Sequence, residues 1–419
     1  MHIDVEEIRS HFPIFERFSR DNIIYLDNAA TTQKPREVVE AITSFYYNSN
    51  SNVHRGVYRT GEEASELYNH SRENIAGFIG ASPDELVFVR NATEALNIAA
   101  TCLPELAGKD SEVLISRMEH HSNIVPWQIA SQRVGITTKM MENMPERQIT
   151  WEDVEKNLTE KTRIVSLSQC SNILGTINDL SEIGRKLHER GIFFVVDAAQ
   201  SVPHMKVDVR SLNCDLLAFS GHKMMGPSGI GCLYGRKEIL EKMPPYMGGG
   251  EMIKEVFEDR FTMADVPLKF EAGTPNIEGA IGLSAAVDFL KKIGMDNVRE
   301  HERELIKYTL DLESERKIQS LHSYGPRNPL IRAGIYTFQL KKGDSEKSYG
   351  NYVHPHDISH LADRIKGVEI RSGHHCAMPQ TLALGTYATA RASFYIYNDH
   401  KDVEALFDAL QSIDRKMIA

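Results

Sequence analysis

Through about the first 290 positions, short and almost wholly apolar runs alternate with stretches of helical periodicity. Ile23–Leu26, Glu85–Val89, Val113–Ile115, Ile164–Leu167, Phe193–Val196 and Leu216–Phe219 read as strands. A helix is predicted over 35–47 and another from about Thr93. A strand half open to water alternates apolar with polar residues, whereas one covered on both faces is apolar throughout. Runs of the second kind, separated by helices, predict an α/β fold with a largely parallel sheet. Near Gly273 the pattern changes. A helix is expected over 276–292, then a long charged helical stretch over 295–320. Strands over 335–339 and 392–397 follow, mixed with helices near 358–365 and 403–418, which predicts a smaller α+β domain after about residue 293. The stretch 341–352 is polar, without apolar periodicity, and reads as a loop. No internal repeat interrupts the scheme.

The length of 419 residues suits a large and a small domain with a substantial interior. A formal net charge of -10 repels phosphate backbones, so nucleic acid is not an expected partner. No apolar stretch approaches the ~20 residues of a membrane span. The start, Met1 to Glu7, lacks the basic and apolar run of a secretion signal, so the expected location is the cytoplasm. The cysteines at 102, 170, 214, 232 and 376 are odd in number and spaced neither as a zinc ribbon nor as a disulfide framework, which points to reduced thiols. Four lie in apolar or strand-like surroundings; Cys376 does not.

Candidate chemistry gathers where the apolar runs end. Ser220–Gly231 (SGHKMMGPSGIG) follows the run Leu216–Phe219. Its glycines let backbone approach a ligand, Ser220 and His222 can donate to an anion, and Lys223 offers an amine able to condense with an aldehyde coenzyme. A glycine-rich turn with a solvated lysine is the plain alternative. Asp197 ends the run at 193–196, where open α/β sheets bind ligands. It could hold a pyridine nitrogen protonated, cap a helix, or do both. Asn91–Asn97 (NATEALN) reads as a strand-to-helix turn whose N–H groups and dipole suit a phosphate, with Thr93 adding a hydroxyl; simple capping explains it equally well. His120, in Glu119–Asn123, could stack on an aromatic ring and move protons; a satisfied polar loop or a metal pair with its neighbour His121 is the plain alternative, the metal disfavoured because adjacent side chains diverge. Cys376, in Arg371–Pro379 (RSGHHCAMP), is a loop thiol with basic neighbours, as a nucleophile requires; a zinc site is the rival, disfavoured by the tight spacing. Arg391, inside a strand-like run, needs either a substrate carboxylate or an internal Asp or Glu.

Taken together, these segments resemble the SUF-type cysteine desulfurases of the class V aminotransferase group, fold-type I enzymes of pyridoxal phosphate (PLP). The likeness runs from about residue 4 to the C-terminus. It is carried by Tyr25–Ala30, Asn52–Gly56, Met118–Trp127, Ser171–Gly175, Ser220–Lys223, Glu271–Asn276 and Arg371–Pro379. The resemblance implies a large PLP-binding domain at 22–292 with a mostly parallel seven-stranded sheet covered by helices. It also implies an N-terminal segment, 1–21, packed with a small C-terminal domain, 293–419, that carries the Cys376 loop. Lys223 would hold the coenzyme, His120 lie over its ring, Asp197 meet the pyridinium and Gln200 the ring hydroxyl. Thr93, Ser220 and His222 would bind its phosphate, and Thr274 the phosphate in a neighbouring subunit, making a homodimer with shared sites. Asn172, Arg371 and Arg391 would surround the carboxylate of L-cysteine, and Cys376 would take its sulfur as a persulfide. No metal is implied in the chain itself. The short Cys376 segment implies a separate sulfur-acceptor protein serving iron–sulfur cluster assembly. Val353–Ile358 resembles relatives whose acceptor contains zinc, met by a histidine at the place of His356. Gln169, Ala92 and Tyr58 depart from the usual pattern of such relatives. Selenocysteine or cysteine sulfinate as substrate, and an inactive binding subunit, are the competing readings.

Overall fold

The computed structural model describes residues 3–54, 56–108, 110–342 and 352–417. Its centre is a seven-stranded sheet. In spatial order the strands are Leu86–Val89, Gly231–Gly235, Leu216–Ser220, Phe193–Asp197, Thr162–Ser168, Glu112–Ser116 and Thr137–Met141. Gly231–Gly235 runs antiparallel to both neighbours, and the remaining pairings are parallel. Apart from Ile23–Leu26, the apolar runs form strands buried on both faces, as expected. Successive side chains alternate between two cores: Leu86 and Phe88 join one, Val87 and Val89 the other. Helices Arg36–Asn48, Arg59–Phe78 and Ile277–Ile293 pack together, while Ala92–Ala107 packs against the strands at 216–220 and 231–235.

Several elements had no counterpart in the sequence pattern, three of them in or against the large sheet. The helix Arg59–Phe78 buries Gly61, Ala64, Ser71, Arg72 and Ala76 beside Tyr68 and Ile75, so its inner face carries little apolar signal. Thr137–Met141 is an edge strand of mixed polarity. Gly231–Gly235 lies in a stretch that reads as a glycine-rich turn. A Cβ at Gly231 would stand 2.6 Å from the Phe219 carbonyl oxygen, so glycine there permits the strand rather than breaking it.

In the C-terminal part, an antiparallel sheet runs in the order Leu321–Tyr324, Ile335–Leu340, Thr389–Ser393, Arg371–Gly373. It shares a core with helices Met295–Arg316, Pro355–Lys366 and His400–Met417. The strand expected at 392–397 begins and ends earlier, at Thr389–Ser393. Beyond it the Tyr395 hydroxyl donates to the Pro203 carbonyl, outside the sheet. Ile24–Tyr25 pairs with Val368–Glu369 rather than with the large sheet, and Asp27 bridges Ser393. Of the N-terminal helices, Arg9 donates to the Tyr397 carbonyl and to Asp402, and the Phe12 ring meets those of Phe289 and Tyr397. The predicted loop over 341–352 falls largely outside the described residues; Lys341 and Tyr352 pair as a bridge.

Candidate active site

The carboxyl ends of the parallel strands open onto a cleft of about 240 Å³. Its lining includes Thr93, His120, Asn172, Asp197, Ser220, His222, Lys223, Arg371, Cys376 and Arg391. Strand order is what gathers them. Asp197 ends the strand beside Leu216–Ser220, and a single helical turn, Gly221–Lys223, follows that neighbour directly.

The Lys223 turn is clamped from outside. The His222 carbonyl accepts from Thr32 N, Thr31 Oγ1, Thr32 Oγ1 and Lys34 Nζ, each at 3.1 Å. Burial lowers the Lys223 amine below its ordinary range; Asp197 opposes this and Arg391 adds to it. The result favours a neutral amine, the form that attacks an aldehyde. Burial raises the Asp197 carboxyl, opposed by the Ala199 N–H at 3.0 Å and by the Lys223 charge. A buried carboxylate of this kind gains from a cationic ring nitrogen placed against it. Burial, then the Lys223 charge, lowers His120 to about 3, so its ring is neutral. Its Nδ1 accepts the Ser122 N–H at 3.1 Å, which leaves the ring proton on Nε2.

One end of the cleft suits a phosphate. Asn91 caps the helix Ala92–Ala107 by accepting from Glu94 N, and Ser220 Oγ accepts from Ala92 N at 2.8 Å. The Thr93 and Ser122 hydroxyls bond each other at 2.7 Å, and His222 Nδ1 lies 3.2 Å from Thr31 Oγ1. A helix N-terminus and hydroxyls give this end donors and positive field, with Lys34 held behind His222 through its carbonyl. Burial lowers Lys34 to about 8. The other end is cationic. Arg391 is buried, donates to the Asn172 carbonyl and Asp27, and keeps Nε buried without a partner. That orphaned donor suits an incoming carboxylate. The donor set therefore fits PLP at one end and an amino acid at the other.

Cys376 sits exposed on the rim. It lines the same cleft as Lys223 and Arg391. The loop adopts left-handed backbone at His375 (φ 53) and Cys376 (φ 55). Asn172 Nδ2 donates to the His375 carbonyl at 2.6 Å, which commits to the loop an amide expected beside the substrate.

Of the residues expected at the coenzyme, Gln200 falls outside the cleft; Thr274 and His356, expected to face a neighbouring subunit and a partner, lie apart from it. Gln200 does not line the cleft, because its Nε2 is held by the Ala29 carbonyl at 2.6 Å; its Oε1 is buried without a partner. Thr274 lines a different hollow with Arg90 and Phe270. His356 is exposed and bonds Ser372 Oγ at 2.6 Å. At the three departures, Ala92 supplies the N–H to Ser220, Tyr58 bonds Ser51 on the surface, and Gln169 is buried with Oε1 unpartnered. Sequence reasoning passed over Asp27, the carboxylate between Arg371 and Arg391, although it lies inside the segment Tyr25–Ala30. It also passed over His121, taken only as the neighbour of His120. Among the described residues no cluster of His, Cys, Asp or Glu could hold a metal, and no helix is long and apolar enough to cross a membrane.

A probable cysteine desulfurase from Halalkalibacterium halodurans is 46% identical over 412 residues, covering 98% of each chain. Among solved structures, an apo cysteine desulfurase from Thermococcus onnurineus superposes with a TM-score of 0.91 at 37% identity, covering 100% of this chain and 99% of that one. A cysteine desulfurase from Escherichia coli, in an S-sulfonic acid form, gives 0.87 at 33% identity over 100% of both chains. The family model for aminotransferase class-V matches residues 24–406, and the chain belongs to that family.

Proposed function

We propose that this chain is a PLP-dependent cysteine desulfurase. It would convert L-cysteine to L-alanine, hold the sulfur on Cys376 and pass it to an acceptor protein for iron–sulfur cluster assembly. The observation that carries the reading is the meeting of Lys223, Asp197 and Cys376 in one cleft. PLP bound in this cleft would be held by Lys223 and would supply an electron sink for charge developing at the substrate α-carbon. Asp197 sets the protonation of the ring nitrogen, and the hydroxyls of Thr93 and Ser220 with His222 take the phosphate. Gln200 supports the rim through Ala29. Arg391, with Arg371 beside it, takes the substrate carboxylate. The released Lys223 amine removes the α-proton. The Cys376 thiolate attacks the substrate sulfur: a sulfur–sulfur bond forms, the carbon–sulfur bond breaks, and its electron pair stays on the β-carbon, which takes up a proton; the α-carbon then recovers the proton it lost, giving alanine. His120, neutral and next to the reacting groups, manages the proton of the substrate thiol.

The finer parts of the reading have their own support. Four residues, 374–377, link the strand Arg371–Gly373 to the helix Met378–Ala383, a connection too short to carry sulfur far, so a separate acceptor must come to the rim. His356 and Ser372 mark an exposed face beside it, fit for a zinc-containing partner. Thr274 opens away from its own cleft, and the hairpin Ile253–Val256/Phe261–Met263 exposes Val256 by 66% and Phe261 by 52%. Apolar residues so placed suit burial against a second copy, which makes a homodimer with shared sites. The expected setting is the cytoplasm.

The test is reduction of the purified protein with borohydride, peptide mapping, and measurement of alanine and persulfide from cysteine. The label is expected on Lys223 and the persulfide on Cys376. A label elsewhere, or none, overturns the reading.

A further inference from the structure

We infer that His121 is a positioning residue that clamps the Cys376 loop through two hydrogen bonds to the loop backbone, one from its own N–H and one to its imidazole; the inference rests on the assignment of Cys376 as the sulfur-receiving thiol. The His121 N–H donates to the Cys376 carbonyl at 2.6 Å. Two residues further on, the Met378 N–H donates to His121 Nε2 at 3.0 Å. One residue thus grips the loop on both sides of the thiol.

The grip has a physical reason. His375 and Cys376 are consecutive non-glycine residues in the left-handed region, with φ 53 and φ 55. L-residues relax out of that conformation unless their surroundings hold them there. Cys376 is itself exposed, so its own side chain supplies no packing. The hold comes from neighbours: Asn172 grips His375 from beneath, and His121 grips Cys376 and Met378 from the other side.

The clamp also places the loop relative to the rest of the site. His121 opens the turn His121–Asn123, directly after His120. That turn is braced by Asn123, whose amide donates to the buried Glu119 at 2.7 Å. The imidazole at His120 and the thiol at Cys376 therefore hang from one rigid support. An amide N–H can only donate, so Nε2 of His121 is the acceptor and the neutral ring carries its proton on Nδ1. Burial and the nearby His374 both lower His121, which keeps that acceptor available.

The experiment uses the PLP-loaded enzyme and compares His121→Phe, His121→Gln and His121→Asn. Two quantities are read: the rate of Cys376 alkylation by iodoacetamide, located by peptide mass mapping, and kcat and KM for alanine formation. In the Phe variant alkylation is expected to rise several-fold, while kcat falls by about tenfold or more at nearly unchanged KM, as misplacement of a reacting group implies. Glutamine carries an acceptor oxygen about as far out as Nε2, and is expected to recover both quantities. Asparagine stops short of Met378 and must behave as Phe does. Wild-type alkylation and kcat in the Phe variant overturn the clamp, as does a Gln variant as impaired as Phe. If alkylation shifts while kcat does not, the clamp stands and the assignment of Cys376 as nucleophile falls.

Discussion

Arg371 and Arg391 stand directly opposite each other on neighbouring antiparallel strands. Like charges in that position repel. Asp27 resolves the conflict: its two oxygens each reach one guanidinium at 3.2 Å. The carboxylate arrives from a segment that pairs with the C-terminal sheet, so its placement aims both arginines at the cleft. Asp27→Asn is expected to lower kcat/KM for cysteine by about tenfold, or ~1.4 kcal/mol. Steady-state alanine formation checks it; an unchanged value would show that the arginines need no counter-charge.

Cys376→Ala is expected to keep the bound-coenzyme absorbance and lose roughly a hundredfold in alanine formation, about 2.7 kcal/mol of transition-state stabilisation. Spectra and turnover on the same sample separate the two effects. Full activity in this variant would move the sulfur chemistry elsewhere.

Lys223→Arg keeps a cation but removes an amine that can be neutral. Loss of the proton-transferring group is expected to reduce turnover by about 10²–10⁴-fold. A variant retaining the wild-type rate would exclude Lys223 as the base.

Glu119 is fully enclosed with Ser116, Ser168 and Asn123, and burial raises its carboxyl to about 7. A folded value above the unfolded one means that the native state binds the extra proton between about 4.5 and about 7. Its contribution to stability is therefore present below that interval and lost as pH rises through it, on the order of 3 kcal/mol. Glu119→Gln can keep the same hydrogen bonds without titrating, so it should flatten the pH dependence of denaturant midpoints relative to wild type. Parallel profiles for the two proteins would refute this.

Arg72 and Glu271 form a buried pair, with Arg72 lying over the Tyr68 and Phe88 rings and Glu271 also accepting from Phe88 N. Arg72→Met leaves that carboxylate uncompensated and is expected to lower stability by about 3–5 kcal/mol. Chemical denaturation measures it, and a loss under ~1 kcal/mol would contradict the account.

The strand ends were legible because a strand covered on both faces must be apolar throughout, and polar residues at its carboxyl end then stand out. Lys223, Asp197 and Ser220 were found in this way. Thr93 and His120 were found at helix and turn starts that follow such strands. The helix Arg59–Phe78 was not legible, because its buried face is built of small residues and a paired arginine, which leave no periodic apolar trace.

Hydrophobic pattern is local: it states which side of an element is buried, and so the sequence by itself determined the α/β class, the order of the main strands along the chain and the residues at their ends. It does not state which distant side chains meet. Asp27 and Arg391 lie 364 positions apart, and His121 and Met378 257 apart. Only strand order and register, settled by packing of the whole chain, decided that one carboxylate would hold both arginines and one histidine would hold the thiol loop.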